Sequence, residues 1–114
     1  MIFIIEDDEI MAECIASAIA PHKHRIFSNG VEAMAALDDN LPNLIFLDIL
    51  LDGPDGFTFL NELASYTDTA KIPVVIVSSL NFKDSDLSSY GVVGQLDKAT
   101  MNLEDIKAYA QRFA

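Results

Sequence analysis

The alternation of short apolar runs with helically periodic stretches restricts this chain to one broad architecture. Ile2-Phe3-Ile4-Ile5 is continuously apolar, as a strand buried on both faces requires. Leu44 to Leu47 and Val74 to Val77 repeat that pattern, and His24 to Phe27 and Gly91 to Leu96 supply two further short strands. Between them, Met11, Ile15, Ala18 and Ile19 recur at helical spacing, with Ile10 and Cys14 beside them. Asn29 precedes Gly30-Val31-Glu32, a capping-box pattern, and Val31, Met34 and Leu37 continue that helix until Asn40-Leu41-Pro42 breaks it. Phe57, Leu60 and Ala64 follow the Gly53-Pro54 loop. Leu103, Ile106, Ala110 and Phe113 form the stripe of a last helix that starts near Asn102, with Met101 and Ile106 as its staple. Five strands alternating with helices require parallel βαβ units, with helices on both faces of one sheet. Asn81 to Tyr90 is the exception. It is rich in Ser and Asp and offers only Phe82, Leu87 and Tyr90 as anchors, so a helix there is expected to be short or irregular.

Length and charge narrow the functional classes. A chain of 114 residues, 51% of them hydrophobic, is expected to fold as one domain over residues 1–114. The net charge of −11 repels phosphate backbones and anionic lipid, so neither direct nucleic-acid binding nor membrane association is expected of this domain. The apolar runs fall far short of a membrane span, and no signal-peptide pattern precedes Ile2. The lone Cys14 cannot form an internal disulfide. It is read as a core residue, and a cytoplasmic location fits. His22 and His24 are read as bland surface or edge residues, because no acid or cysteine accompanies them.

The polar residues that close the apolar runs carry the chemistry. In an open parallel sheet, ligands bind beyond the carboxyl ends of the strands. The first run ends in Glu6-Asp7-Asp8, the third in Asp48, the fourth in Ser78-Ser79, and the fifth is followed by Asp97-Lys98. If strands one, three, four and five are neighbours, these side chains converge on one rim. Clustered carboxylates repel and raise one another's pKa; a hard divalent cation with oxygen ligands, Mg2+, relieves this. Lys98 supplies a fixed positive charge and Ser78 a hydroxyl donor. A nucleophilic carboxylate, two acids, a lysine and a hydroxyl suffice to bind a metal and neutralise a transferring phosphoryl group.

These residues, in this order, resemble the response-regulator receiver family along the whole chain. Ile2 to Asp8 is similar to the family's first strand and acidic pair, assigned to Glu6 and Asp7. Leu44 to Asp48 resembles the phosphoacceptor strand, and Ile49 to Gly56 its following loop. Ile72 to Ser79 resembles the fourth strand, with Ser78 at the hydroxyl position. Gly91 to Lys98 resembles the fifth strand and its lysine. The resemblance implies a flavodoxin-like, doubly wound parallel sheet of order 2-1-3-4-5 with five helices. It implies that Asp48 accepts a phosphoryl group from a histidine kinase or histidine phosphotransfer protein. Mg2+ would be held by Asp7, Asp48 and the backbone carbonyl of Leu50, with Glu6 acting largely through water; Ser78 and Lys98 would hold the phosphoryl oxygens. The output would be altered binding of a downstream protein or a fused output domain. This is signalling by a self-catalysed phosphoacceptor with slow autodephosphorylation, not an enzyme in the ordinary sense.

Departures from the family pattern bear on switching rather than on phosphorylation. Asp52 stands where Pro is usual, Ala99 follows Lys98 where Pro is common, and Gln95 occupies the position of an aromatic switch residue. By the same resemblance, Leu50 and Leu80 flank the path of the water that removes the phosphoryl group. A rival reading keeps the fold and drops the chemistry: a receiver-like binding module not regulated by phosphorylation. A haloacid-dehalogenase-type hydrolase would need Asp-x-Asp after the first strand, which Glu6-Asp7-Asp8 lacks. A dinucleotide-binding module would need Gly-x-Gly-x-x-Gly.

Overall fold

Ile2, Phe3, Ile4 and Ile5 are all fully buried. Together they form β1 (Ile2–Ile5), an interior strand of the sheet, paired on both sides. The computed structural model describes residues 1–49, 56–79 and 90–113. After β1 come α1 (Glu9–Ile19), β2 (His24–Phe27), α2 (Gly30–Leu37), β3 (Leu44–Asp48), α3 (Gly56–Ala64), β4 (Val74–Ser78), β5 (Val92–Asp97) and α4 (Leu103–Phe113). The sheet order is β2-β1-β3-β4-β5 and every pairing is parallel. This is the flavodoxin-like order. The short or irregular helix expected over 81–90 lies, save for Tyr90, outside the described residues. No described helix is long and apolar enough to cross a membrane.

Alternation along the central strands divides the core into two layers. Phe3, Ile5, Ile45, Leu47 and Ile76 pack with Ala33, Leu37, Phe59 and Leu63 of α2 and α3. Ile2, Ile4, Phe46, Val75 and Val77 pack on the other face with Ile15 and Ile19 of α1 and Ile106 and Ala110 of α4. Each fully buried Ile, Leu, Val or Phe contributes about 1.5–3 kcal/mol of transfer free energy. Burial on both faces explains why β1, β3 and β4 read as unbroken apolar runs.

The expected stripes hold at Ile15, Ala18, Ile19, Leu37, Leu60, Ile106 and Ala110, which are buried, but not at every position. Val31, Phe57 and Leu103 are exposed, and so is Cys14. The buried face of α2 is Gly30, Ala33, Ala36 and Leu37, and that of α3 is Gly56, Phe59, Leu60 and Leu63. Small residues win in α2 because they let it sit close. A Cβ on Gly30 would lie 3.3 Å from the Phe59 ring, so the glycine leaves room for α3's aromatic. The caps agree with the sequence. Asn29 Oδ1 accepts from the Glu32 amide at 2.9 Å. Asn102 and Asp105 cap each other reciprocally at 2.9 and 3.2 Å, with Met101 packed into the same core layer as Ile106.

On β5 the register slips. Val74 pairs with Val92 but Val75 with Gly94, a bulge that leaves Val93 extra. Val92 therefore packs with the α2–α3 layer while Leu96 packs with the α1–α4 layer. A side chain at Gly94 would overlap the Tyr109 ring and hydroxyl, so this glycine lets α4 close onto the edge strand.

Candidate phosphoacceptor site

The parallel register brings the carboxyl ends of four strands to one rim. Asp48 ends β3 beside Val77, and Ser78 ends β4 beside Asp97. Glu6 follows β1, its amide bonded to the Phe27 carbonyl at 2.9 Å. Lys98 follows β5, its amide bonded to the Ser78 carbonyl at 3.0 Å. Glu6, Asp48 and Ser78 are all buried, at 3%, 4% and 2% exposure, whereas Asp7 is half-buried. One carboxylate oxygen from each of Glu6, Asp7 and Asp48 lies within 4.8 Å of the others. Five of the residues expected from the sequence thus meet; Leu50, expected through its carbonyl, lies outside the described residues.

Lys98 bridges the acids. Its Nζ lies 2.7 Å from Glu6 Oε1 and donates to Asp48 Oδ2 at 3.2 Å. The Glu6 contact is a close ion pair, and buried Oε1 has no other polar partner among the described residues. Burial pushes the Glu6 carboxyl up to about 8, and hydrogen bonding and repulsion from Asp48 add to the rise while Lys98 opposes it. Burial works to lower the Lys98 pKa, but Glu6 first and Asp48 second outweigh it, and the ammonium ends above its ordinary value.

Two functional positions escaped the sequence reading. Asp8, one of three consecutive acids, does not join the cluster. Its Oδ1 accepts from the amides of Ile10 and Met11 at 2.9 and 3.3 Å and caps α1. The cap orients the turn: the Asp8 amide donates to Glu6 Oε2 at 3.4 Å. An Asp just before a periodic apolar stretch was the available signal. Gly56 is the second. Its amide donates to the Ile49 carbonyl at 3.0 Å, and a Cβ there would fall 2.5 Å from Ile49 Cα and 2.9 Å from the Asp48 carbonyl. Only glycine lets α3 begin this close to the end of β3.

Residues 2–111 match the family model described as the response regulator receiver domain. The chain belongs to the response regulator receiver family. This receiver is 25% identical to response regulator PleD of Caulobacter vibrioides over 112 residues, which is 96% of this chain but 24% of PleD. It thus spans about a quarter of PleD's length. It is 30% identical to response regulator Rcp1 of Synechocystis over 101 residues, 79% of this chain and 69% of Rcp1. The receiver domain of NtrX from Brucella abortus superposes with a TM-score of 0.84 at 25% identity, covering 98% of this chain and 96% of that one. The Mn2+-bound form of Rcp1 superposes with a TM-score of 0.75 at 29% identity, covering 97% and 88%.

Proposed function

We propose that this receiver takes a phosphoryl group onto Asp48 from the phosphohistidine of a histidine kinase or histidine phosphotransfer protein, and thereby alters binding of a downstream protein or fused output domain. The observation that carries the reading is the pairing of a buried Asp48 carboxylate with Lys98 Nζ at 3.2 Å, beside two further acids. An Asp48 carboxylate oxygen attacks phosphorus, the bond from phosphorus to the donor nitrogen breaks, and the imidazole leaves. Lys98 moves between carboxylate and phosphoryl oxygens, and Ser78 donates its hydroxyl to a third oxygen.

The acids suit Mg2+. Three carboxylates offer hard oxygen donors within 4.8 Å, and among the described residues buried Glu6 Oε1 has Lys98 as its one cationic partner. Asp7, Asp48 and the Leu50 carbonyl would hold the ion directly, with Glu6 acting largely through water. When bound, Mg2+ supplies charge neutralisation for the phosphoryl oxygens. The structural neighbour Rcp1 has an Mn2+-bound form, which supports a divalent cation as the ligand of these acids.

Acetyl phosphate with Mg2+ should add one phosphoryl mass to the wild-type chain and none to Asp48→Asn. Labelling that persists in Asp48→Asn would overturn the assignment. Absence of labelling in the wild type from any phosphodonor would favour the unphosphorylated binding module instead.

A further inference from the structure

Each helix of a βαβ unit runs against its strands, so the end of the sheet away from Asp48 receives the helix C-termini. There the end of α2 and the α3–β4 connection border a groove of about 710 Å3. Leu37, Leu41 and Tyr66 give it an apolar lining; Asp38, Asp39 and Asp68 give it an acidic rim. Leu41 is 45% exposed and Tyr66 60%, large apolar surfaces left open in the same groove. Among the described residues no lysine, arginine or histidine lines the groove, and neither α2 nor α3 carries a basic residue in its last turn. A helix C-terminus carries about half a negative charge, so the end of α2 adds to the field of the three carboxylates in one space. The volume falls within the roughly 300–1,000 Å3 of sites that enclose a ligand.

Charge and shape together select the occupant. A bare cation would satisfy the carboxylates and leave Leu41 and Tyr66 in water; an apolar peptide would cover those and leave the acids facing an uncharged surface. We propose that this groove docks a segment of a partner protein that carries an arginine or lysine next to an apolar or aromatic side chain. A second copy of this chain is a poor occupant, because two molecules of charge −11 repel. The chain's own basic strip, His22 to Arg25, is also partly engaged: the Arg25 guanidinium lies over the Phe27 ring at 5.0 Å. The inference stands apart from phosphoryl transfer, which occurs at the other end of the sheet.

The test uses the full chain, 15N-labelled, and the probe peptide acetyl-Leu-Arg-Phe-Arg-amide. Amide resonances of residues 37–41 and 66–69 should shift, and those around Asp48 should not. Asp39→Asn with Asp68→Asn should weaken binding about tenfold, equivalent to 1.4 kcal/mol. Tyr66→Ala should weaken it as well, and a Leu-Glu-Phe-Glu peptide should leave the spectrum unchanged. Both aspartates are exposed, so the carboxamide pair keeps the fold even if Tyr66→Ala does not. Three results would each overturn the proposal: no shift at millimolar peptide, shifts spread over the acidic surface with unaltered affinity in the double variant, or shifts that follow protein concentration and mark self-association.

Discussion

The buried Glu6 carboxyl should make the stability of the metal-free protein fall as pH rises. Its carboxyl moves from an ordinary 4.5 to about 8 in the folded protein, chiefly through burial, so the folded state binds this proton more tightly than the unfolded state. The contribution is complete below 4.5 and is lost as pH rises through about 8. One pKa unit is worth about 1.4 kcal/mol, so the loss amounts to a few kcal/mol, a large part of the ~5–15 kcal/mol of a typical domain. Lys98 does not confuse the comparison: its pKa is raised above 10.5, so it stays charged throughout the window. Urea unfolding in EDTA from about pH 5 to about pH 8.5 should show the decline. Glu6→Gln should remove it and be the more stable protein at the alkaline end. Saturating Mg2+ should also flatten the wild-type curve, because the folded state then gains a cation where it would have kept a proton. Parallel wild-type and Glu6→Gln curves would refute the reasoning, since the difference between them isolates this one group.

Lys98→Met leaves Glu6 and Asp48 facing each other without their shared cation; labelling by acetyl phosphate should slow about tenfold or more, read by intact mass against time. Gly94→Ala forces a methyl into the Tyr109 ring and should cost about 1–3 kcal/mol in chemical denaturation, with Tyr109→Ala on the same background relieving part of the clash. Asn102→Ala removes half of the α4 capping pair and should cost about 1 kcal/mol by the same measurement. If Leu50 and Leu80 exclude water from the phosphorylated site, Leu50→Asn with Leu80→Glu should speed loss of the phosphoryl group about tenfold or more after donor removal; equal decay in wild type and double mutant would count against that.

The strands were legible because burial on both faces leaves no choice of residue. Ile2 to Ile5, Leu44 to Leu47 and Val74 to Val77 admit only apolar side chains, and those runs appear as β1 and the bodies of β3 and β4. The acids and Lys98 were legible for the complementary reason, since polar residues that end such runs fall on the rim. The helix faces were harder. A helix such as α2 has enough Ala and Met for two stripes, and Val31 is the more hydrophobic choice in isolation. Packing decided for Ala33 and Ala36, because closeness to the sheet outweighs side-chain size there. The β5 bulge left no signal in periodicity, because Gly94 carries no side chain to reveal which way it points. Its reason is Tyr109, fifteen positions later on another element, a contact only the folded chain makes.

The shared ion pair of Lys98 with Glu6 and Asp48 has a consequence for biosynthesis. The ribosome delivers Glu6 and Asp7 before Asp48, and Lys98 after all three, on a strand that docks at the edge of the sheet. Until that strand arrives, β1 and β3 bring three carboxylates together with no lysine to hold them, so a growing or prematurely ended chain must keep a proton or capture a divalent ion there. Lys98 is therefore also the mark that β5 is in place, and a chain cut short before residue 98 would present the acids without the lysine that holds them.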